Sequence, residues 1–206
     1  MLLYGIVILI CMAIISVCNI FLNPMGLPWY HYVVATVVFT IAVIIVSGVV
    51  AGICRAIPSK HIHVEKKLYN PSEKMLNFYK KIGVKKWKDH IPELGQFTGF
   101  HKNEVAKPQD NEYLNRFIYE ACYGVLGHLW SMPISFIILF IDYGMWTNGS
   151  NIFLTIGVPV AFVSAVLNYM PYCVLRFNIP RLRKLFFDLR QVNKLPQKED
   201  IVIKED

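Results

Sequence analysis

Four stretches of the chain are almost wholly apolar: Leu2 to Leu22, Tyr32 to Cys54, Phe117 to Ile141 and Ile152 to Leu175. Each is close to the ~20 residues that an α-helix, rising about 1.5 Å per residue, needs to cross roughly 30 Å of hydrocarbon. The pattern predicts an all-α, polytopic membrane protein with four transmembrane helices. Between the second and third runs the pattern changes. Met75, Leu76, Tyr79, Ile82 and Val84 recur at helical spacing, and Lys74, Lys80, Lys81, Lys85, Lys86 and Lys88 fill the remaining positions. This is a basic amphipathic helix, expected to lie in the inner headgroup layer with Trp87 as anchor and anionic lipid as partner. After Pro180, Leu182, Leu185, Phe186 and Leu189 face one way and Arg181, Arg183, Lys184 and Arg190 the other, which predicts a second interfacial helix.

Turn chemistry divides the four runs into two hairpins. The two prolines and glycine of Asn23 to Pro28 stop one helix and start the next, and Tyr143 to Asn151 makes the second connection, with Asn148-Gly149-Ser150 inside it. Trp29, Tyr30, Tyr143 and Trp146 fall where aromatic side chains settle at a membrane–water boundary. We read residues 1–206 as a single membrane domain. It consists of a transmembrane hairpin (1–57), a basic cytoplasmic interfacial segment (58–112), a second hairpin (113–175) and a basic cytoplasmic tail (176–206).

Charge sets the orientation. All 21 Lys and Arg fall in two windows, Arg55 to Arg116 and Arg176 to Lys204, and the two short hairpin connections have none. By the positive-inside bias both windows are cytoplasmic, and with an even number of helices both termini lie inside, in a multi-pass protein of the cell membrane. With 55% hydrophobic residues, a net charge of +7 and a mean hydropathy of +0.42, the basic character points to a membrane surface and not to nucleic acid. The first run lacks a basic leader and a small-x-small cleavage site, so it is expected to stay as an anchor. The five cysteines lie in or beside apolar runs without a C-x-x-C pair, as small hydrophobes do.

Ionisable residues within spans are expensive unless paired or wet, so Glu120, His128 and Asp142 each require a reason. Asp142, beside Tyr143 at the outer end, can reach water. His128 lies about 18 Å along the helix from Arg116, after Gly124 and Gly127, which make room beside it. It is either a base or a buried neutral histidine bonded to another helix. Glu120 is about 12 Å earlier along the axis and about 80° around it, so the two do not form a dyad on one helix. In the fourth run Asn168 lies inside the span, Pro171 interrupts the hydrogen-bond ladder, and Arg176, Asn178 and Arg181 gather at the inner end. No phosphate loop, H-E-x-x-H or G-x-S-x-G is present, and His61, His63 and Glu65 lack the partners of a metal site, so no metal or other cofactor is expected.

Four segments taken together, "IPSKH" (57–61), "KKWKDHIPELG" (85–95), "YEACYGVLGH" (119–128) and "NYMPYCVLRFNIPRL" (168–182), resemble the glycosyl-4,4'-diaponeurosporenoate acyltransferase family. These are small membrane acyltransferases of carotenoid glycoside biosynthesis. The resemblance runs in order from about Arg55 to Leu185. It implies transfer of a fatty acyl group, from acyl-CoA or another acyl thioester as co-substrate, to a hydroxyl of a lipid-linked sugar such as a glycosylated carotenoid acid. It implies functional roles for Lys86, Trp87, Lys88, Asp89, Glu120, His128, Arg176, Asn178, Pro180 and Arg181. The chain departs from the family's pattern at Val125, Leu175 and Ile179, where the pattern carries an acid, a glutamine and an arginine. Acyl transfer to a hydroxyl needs a base and donors for the oxyanion. His128 is the expected base, with Asp89 or His90 competing and Glu120 as a further catalytic candidate. Asn168 or Asn178 would contact oxyanion or sugar, and Lys86, Lys88, Arg176 and Arg181 would clamp the donor's phosphates. Two other readings fit the residues alone: a non-catalytic lipid-binding or partner-stabilising module, and a small helical methyltransferase or reductase.

Overall fold

A computed structural model describes residues 2–22, 27–91, 105, 107–140 and 152–192. Every regular element among them is helical. The long helices are α1 (Leu2–Leu22), α2 (Trp29–Arg55), α5 (Asn111–Ile134) and α6 (Val158–Val192), with the short α3 (Glu73–Lys81) and α4 (Val84–Trp87) between α2 and α5. A 3-10 segment, Ser135–Phe140, extends α5, and a π turn, Phe153–Gly157, leads into α6. Four helices are long and apolar enough to cross a membrane: Tyr4–Leu22, Trp29–Arg55, Asn111–Phe140 and Leu154–Gln191. The hairpin connection at 23–26, Asp142, Tyr143, Trp146 and Asn148, and the tail beyond Val192 lie outside the described residues.

The chain divides into two compact units. One contains Met1–Gly52 and His128–Tyr169. Its core is Ile15, Tyr32, Phe39, Val43, Ile138, Ile152, Ile156 and Val160, while Leu9, Ile14, Phe21, Ile41, Ile45 and Phe162 are exposed. Apolar side chains facing outward on long apolar helices are what lipid solvation requires and water would penalise. Backbone irregularities are answered by polar side chains. Asn19 Nδ2 donates to the carbonyls of Ile15 (2.8 Å) and of Thr155 (3.0 Å), the latter within the π turn. Gly157 allows close packing here, because a Cβ at that position would lie 2.9 Å from Leu139 Cδ2.

The other unit contains Ile53–Gly127 and Met170–Asp206. Asp110 caps α5, its Oδ1 accepting from the backbone N–H of Glu112 (3.0 Å) and Tyr113 (3.1 Å) and so satisfying two otherwise unpaired donors. α5 begins at Asn111, six residues before the apolar run that starts at Phe117. The core joins Ile62, Val64 and Tyr69 from the segment after α2 to Leu114, Ile118, Cys122 and Val125 of α5 and to Ile179, Leu182, Phe186 and Leu189 of α6. The tail therefore differs from expectation. Pro180 does not end the fourth helix, which runs unbroken for 35 residues, about 52 Å. Leu182, Phe186 and Leu189 are buried in the protein core instead of facing lipid. Of the four apolar residues expected to face lipid, Leu185 alone is exposed.

Candidate active site

His128 is placed by α5, partly buried, with Gly127 before it. Its Nδ1 lies 3.0 Å from Asn168 Oδ1 of α6. The amide of Asn168 is oriented by its own helix, since Nδ2 donates to the Ser164 carbonyl at 3.0 Å. An amide whose nitrogen is engaged there presents oxygen to the imidazole, so Nδ1 must be the protonated ring nitrogen when His128 is neutral. Nε2 then carries the lone pair, and it has no hydrogen-bond partner among the described residues. The polar seam continues through hydroxyls. Ser135 Oγ donates to the Ser131 carbonyl (2.6 Å) and lies 2.9 Å from Ser164 Oγ. Since the single proton of Ser135 is already placed, Ser164 is the donor between them. Both alternatives open for His128, base and inter-helix partner, begin from this contact.

The second polar group centres on Arg176, one turn beyond Tyr172 on α6. Its Nη1 donates to the hydroxyls of Tyr79 and Tyr172, both at 3.0 Å, and its Nη2 to the Lys67 carbonyl at 2.9 Å. The guanidinium also stacks on the Tyr172 ring, 5.3 Å from its centroid. Burial holds Tyr79 in its neutral form, pushing its pKa up to about 12 although neighbouring Arg176 pulls the other way. Tyr69 is likewise raised to about 12, by burial first. Seven residues after Arg176, and therefore on nearly the same face of α6, Arg183 forms an ion pair with Glu65. Two arginines thus fasten the 56–72 segment, by a backbone carbonyl at Lys67 and a carboxylate at Glu65. Arg181 is about 140° around the helix from Arg176, exposed, with its guanidinium 4.0 Å from the Phe177 ring centroid.

The remaining candidates are placed as follows. Glu120 accepts a charge-assisted bond from Arg55 Nη2 at 2.6 Å. Asp89 is half exposed and 4.0 Å from Lys88 Nζ. Trp87 Nε1 donates to the Ile82 carbonyl at 3.0 Å, which folds α4 back on the end of α3 at the left-handed Gly83 (φ 73°). Lys86 is exposed and Asn178 partly buried. The side chain of His90 lies outside the description. The three departures fall together, since Val125 and Ile179 are fully buried in one cluster with Leu175 packed against it. Leu175 also fills the space over Gly124, where a Cβ would approach its Cδ1 to 2.7 Å. The sequence pattern does not single out Tyr79, Tyr172 or Arg183 as polar partners. The i, i+4 spacing of Tyr172 to Arg176 and the i, i+7 spacing of Arg176 to Arg183 were the available signals.

No curated protein and no solved structure matches the chain. One family model does, over residues 61–187, a span holding α3 to α5, His128, Asn168, Arg176 and Arg181. That is more than half of the chain, and it covers three of the four segments that carry the resemblance in full. The chain belongs to the glycosyl-4,4'-diaponeurosporenoate acyltransferase family and is an acyltransferase.

Proposed function

We propose that this acyltransferase moves a fatty acyl group from an acyl thioester, such as acyl-CoA, to a sugar hydroxyl of a membrane lipid glycoside of the carotenoid acid class, with His128 as general base. The observation that carries the reading is the His128–Asn168 contact, which leaves Nε2 as the proton acceptor. In the step, the sugar oxygen bonds to the thioester carbonyl carbon as its proton passes to Nε2. Collapse of the tetrahedral adduct breaks the C–S bond, and the leaving thiolate takes the proton back from the imidazolium. Charge, atoms and protons balance without a metal or redox group.

Other candidates take supporting roles. Asn168 orients the base, and Asn178, about 15 Å further along α6, is a candidate contact for a more distant part of the sugar and not for the oxyanion. Glu120, held by Arg55, is a fixed charge and not a proton carrier. Asp89, beside Lys88, is the competing base. Lys86, Lys88 and Arg181 are the cations proposed to meet donor phosphates, with Trp87 bracing the turn that carries the lysines. Arg176 acts as an internal strut, because three of its N–H groups are already donated within the protein.

The test is acyl transfer to a glycosylated carotenoid acid by the full chain in membranes, comparing His128→Ala and Asp89→Asn with the parent. Loss of at least ~100-fold in kcat for His128→Ala, with insertion and thermal stability retained, supports the base. Parental turnover of His128→Ala together with loss in Asp89→Asn would overturn it.

A further inference from the structure

The helix α3 has two unlike faces. Tyr79 is 1% exposed and Leu76 partly buried, and both face the protein. On the adjoining side Met75, Phe78 and Ile82 are exposed at 38%, 44% and 38%. At 100° per residue these three fall within about 60° of one another and form a single ridge. Lys74 and Lys81 border that ridge, and exposed Lys85 and Lys86 follow on α4. Between Glu73 and Lys88 there are six lysines and one acid.

The level of this ridge is fixed by the neighbouring inward face. The Tyr79 hydroxyl shares Arg176 Nη1 with Tyr172, so α3 is fastened to α6 within one turn of the end of the apolar run Ile152 to Leu175. That is where a spanning helix leaves hydrocarbon for headgroups. An apolar ridge in water would carry a hydrophobic cost, and the lysines on its border supply charge of one sign.

We propose that the ridge Met75–Phe78–Ile82 docks into an anionic lipid surface, its lysines Lys74, Lys81 and Lys85 pairing with lipid phosphates. The expected lipid-facing side of this segment includes Tyr79 and Leu76. The structure places Phe78 there instead and turns Tyr79 inward. The proposal is independent of which residue serves as base.

The experiment uses the full chain in nanodiscs of phosphatidylcholine mixed with phosphatidylglycerol. Photo-crosslinking from Phe78→p-benzoylphenylalanine, and separately from Met75→p-benzoylphenylalanine, is read by the mass of the adduct. Phospholipid adducts from both sites, with phosphatidylglycerol enriched over its share of the bilayer, are expected. The enrichment should disappear in the Lys74→Gln/Lys81→Gln/Lys85→Gln background. Lipid adducts at the bulk ratio, no lipid adduct, or adducts formed only with an added acidic carrier protein or with a second copy of the chain would each overturn the proposal.

Discussion

The Tyr4 hydroxyl donates to the carbonyl oxygen of Leu167 at 3.0 Å. Leu167 is the residue whose carbonyl would ordinarily receive the backbone N–H of residue 171, and Pro171 has none. A tyrosine of α1 thus replaces the donor that proline removes from α6, and the helix passes Pro171 without ending.

Tyr4→Phe should therefore destabilise the protein by about 1–2 kcal/mol, because it leaves a partly buried acceptor unpaired. Reversible unfolding in mixed micelles measures this. Tyr4→Phe combined with Pro171→Ala should recover most of the loss, since alanine restores the backbone donor.

Arg176→Lys should cost about 2–4 kcal/mol of stability despite keeping the charge. A single ammonium cannot supply three donors directed at Tyr79, Tyr172 and the Lys67 carbonyl in a planar fork. If Arg176 served only to hold donor phosphates, the thermal midpoint would stay put and KM for the donor would rise.

Alkaline pH should weaken the unit holding Tyr69 and Tyr79. Both have pKa values raised by burial to about 12 from an ordinary value near 10. A raised folded-state pKa leaves stability intact below pH 10. It removes stability between about pH 10 and 12, where the unfolded chain ionises first. Unfolding free energy should fall across that window, by about 1–3 kcal/mol per tyrosine. Tyr79→Phe should fall less steeply than the parent.

Asn168→Leu, similar in volume but unable to bond the ring, tests the base assignment from its second partner. It should lower kcat by about 100-fold with little change in either KM, since the imidazole loses its orientation and not its substrate contacts. Nitrogen chemical shifts of labelled His128 should change from a single Nδ1–H form to a mixture of tautomers. A parental kcat with that mixture would show that orientation of the ring does not limit turnover.

The spans were legible in the sequence because lipid solvation writes itself into uninterrupted apolar runs, and charge marks where they end. Less legible was which side of a short helix faces inward. Tyr79 counts equally as an apolar neighbour of lipid and as a buried hydroxyl with an arginine partner, and only a residue 97 positions away decides between them. Arg176 reads only as a cation at the inner end of a span for the same reason, as two of its three acceptors come from the 56–72 segment and α3. The tail past Pro180 looked like a surface helix because its amphipathic pattern fits lipid and protein cores equally. His128 and Asn168 were each visible as a polar residue in a span, but their contact was not, since they come from different helices 40 positions apart.

The run of contacts through Ser131, Ser135, Ser164, Asn168 and His128 also acts on assembly. Two apolar helices already inserted in a bilayer can slide past each other at little cost in hydrocarbon contact, so greasy surfaces alone leave their pairing loosely determined. A slip of one residue would turn either helix by about 100° and break the Ser135–Ser164 and His128–Asn168 contacts together. The seam thus works as a key: it distinguishes one alignment of the two helices from its neighbours while the chain is still finding its fold.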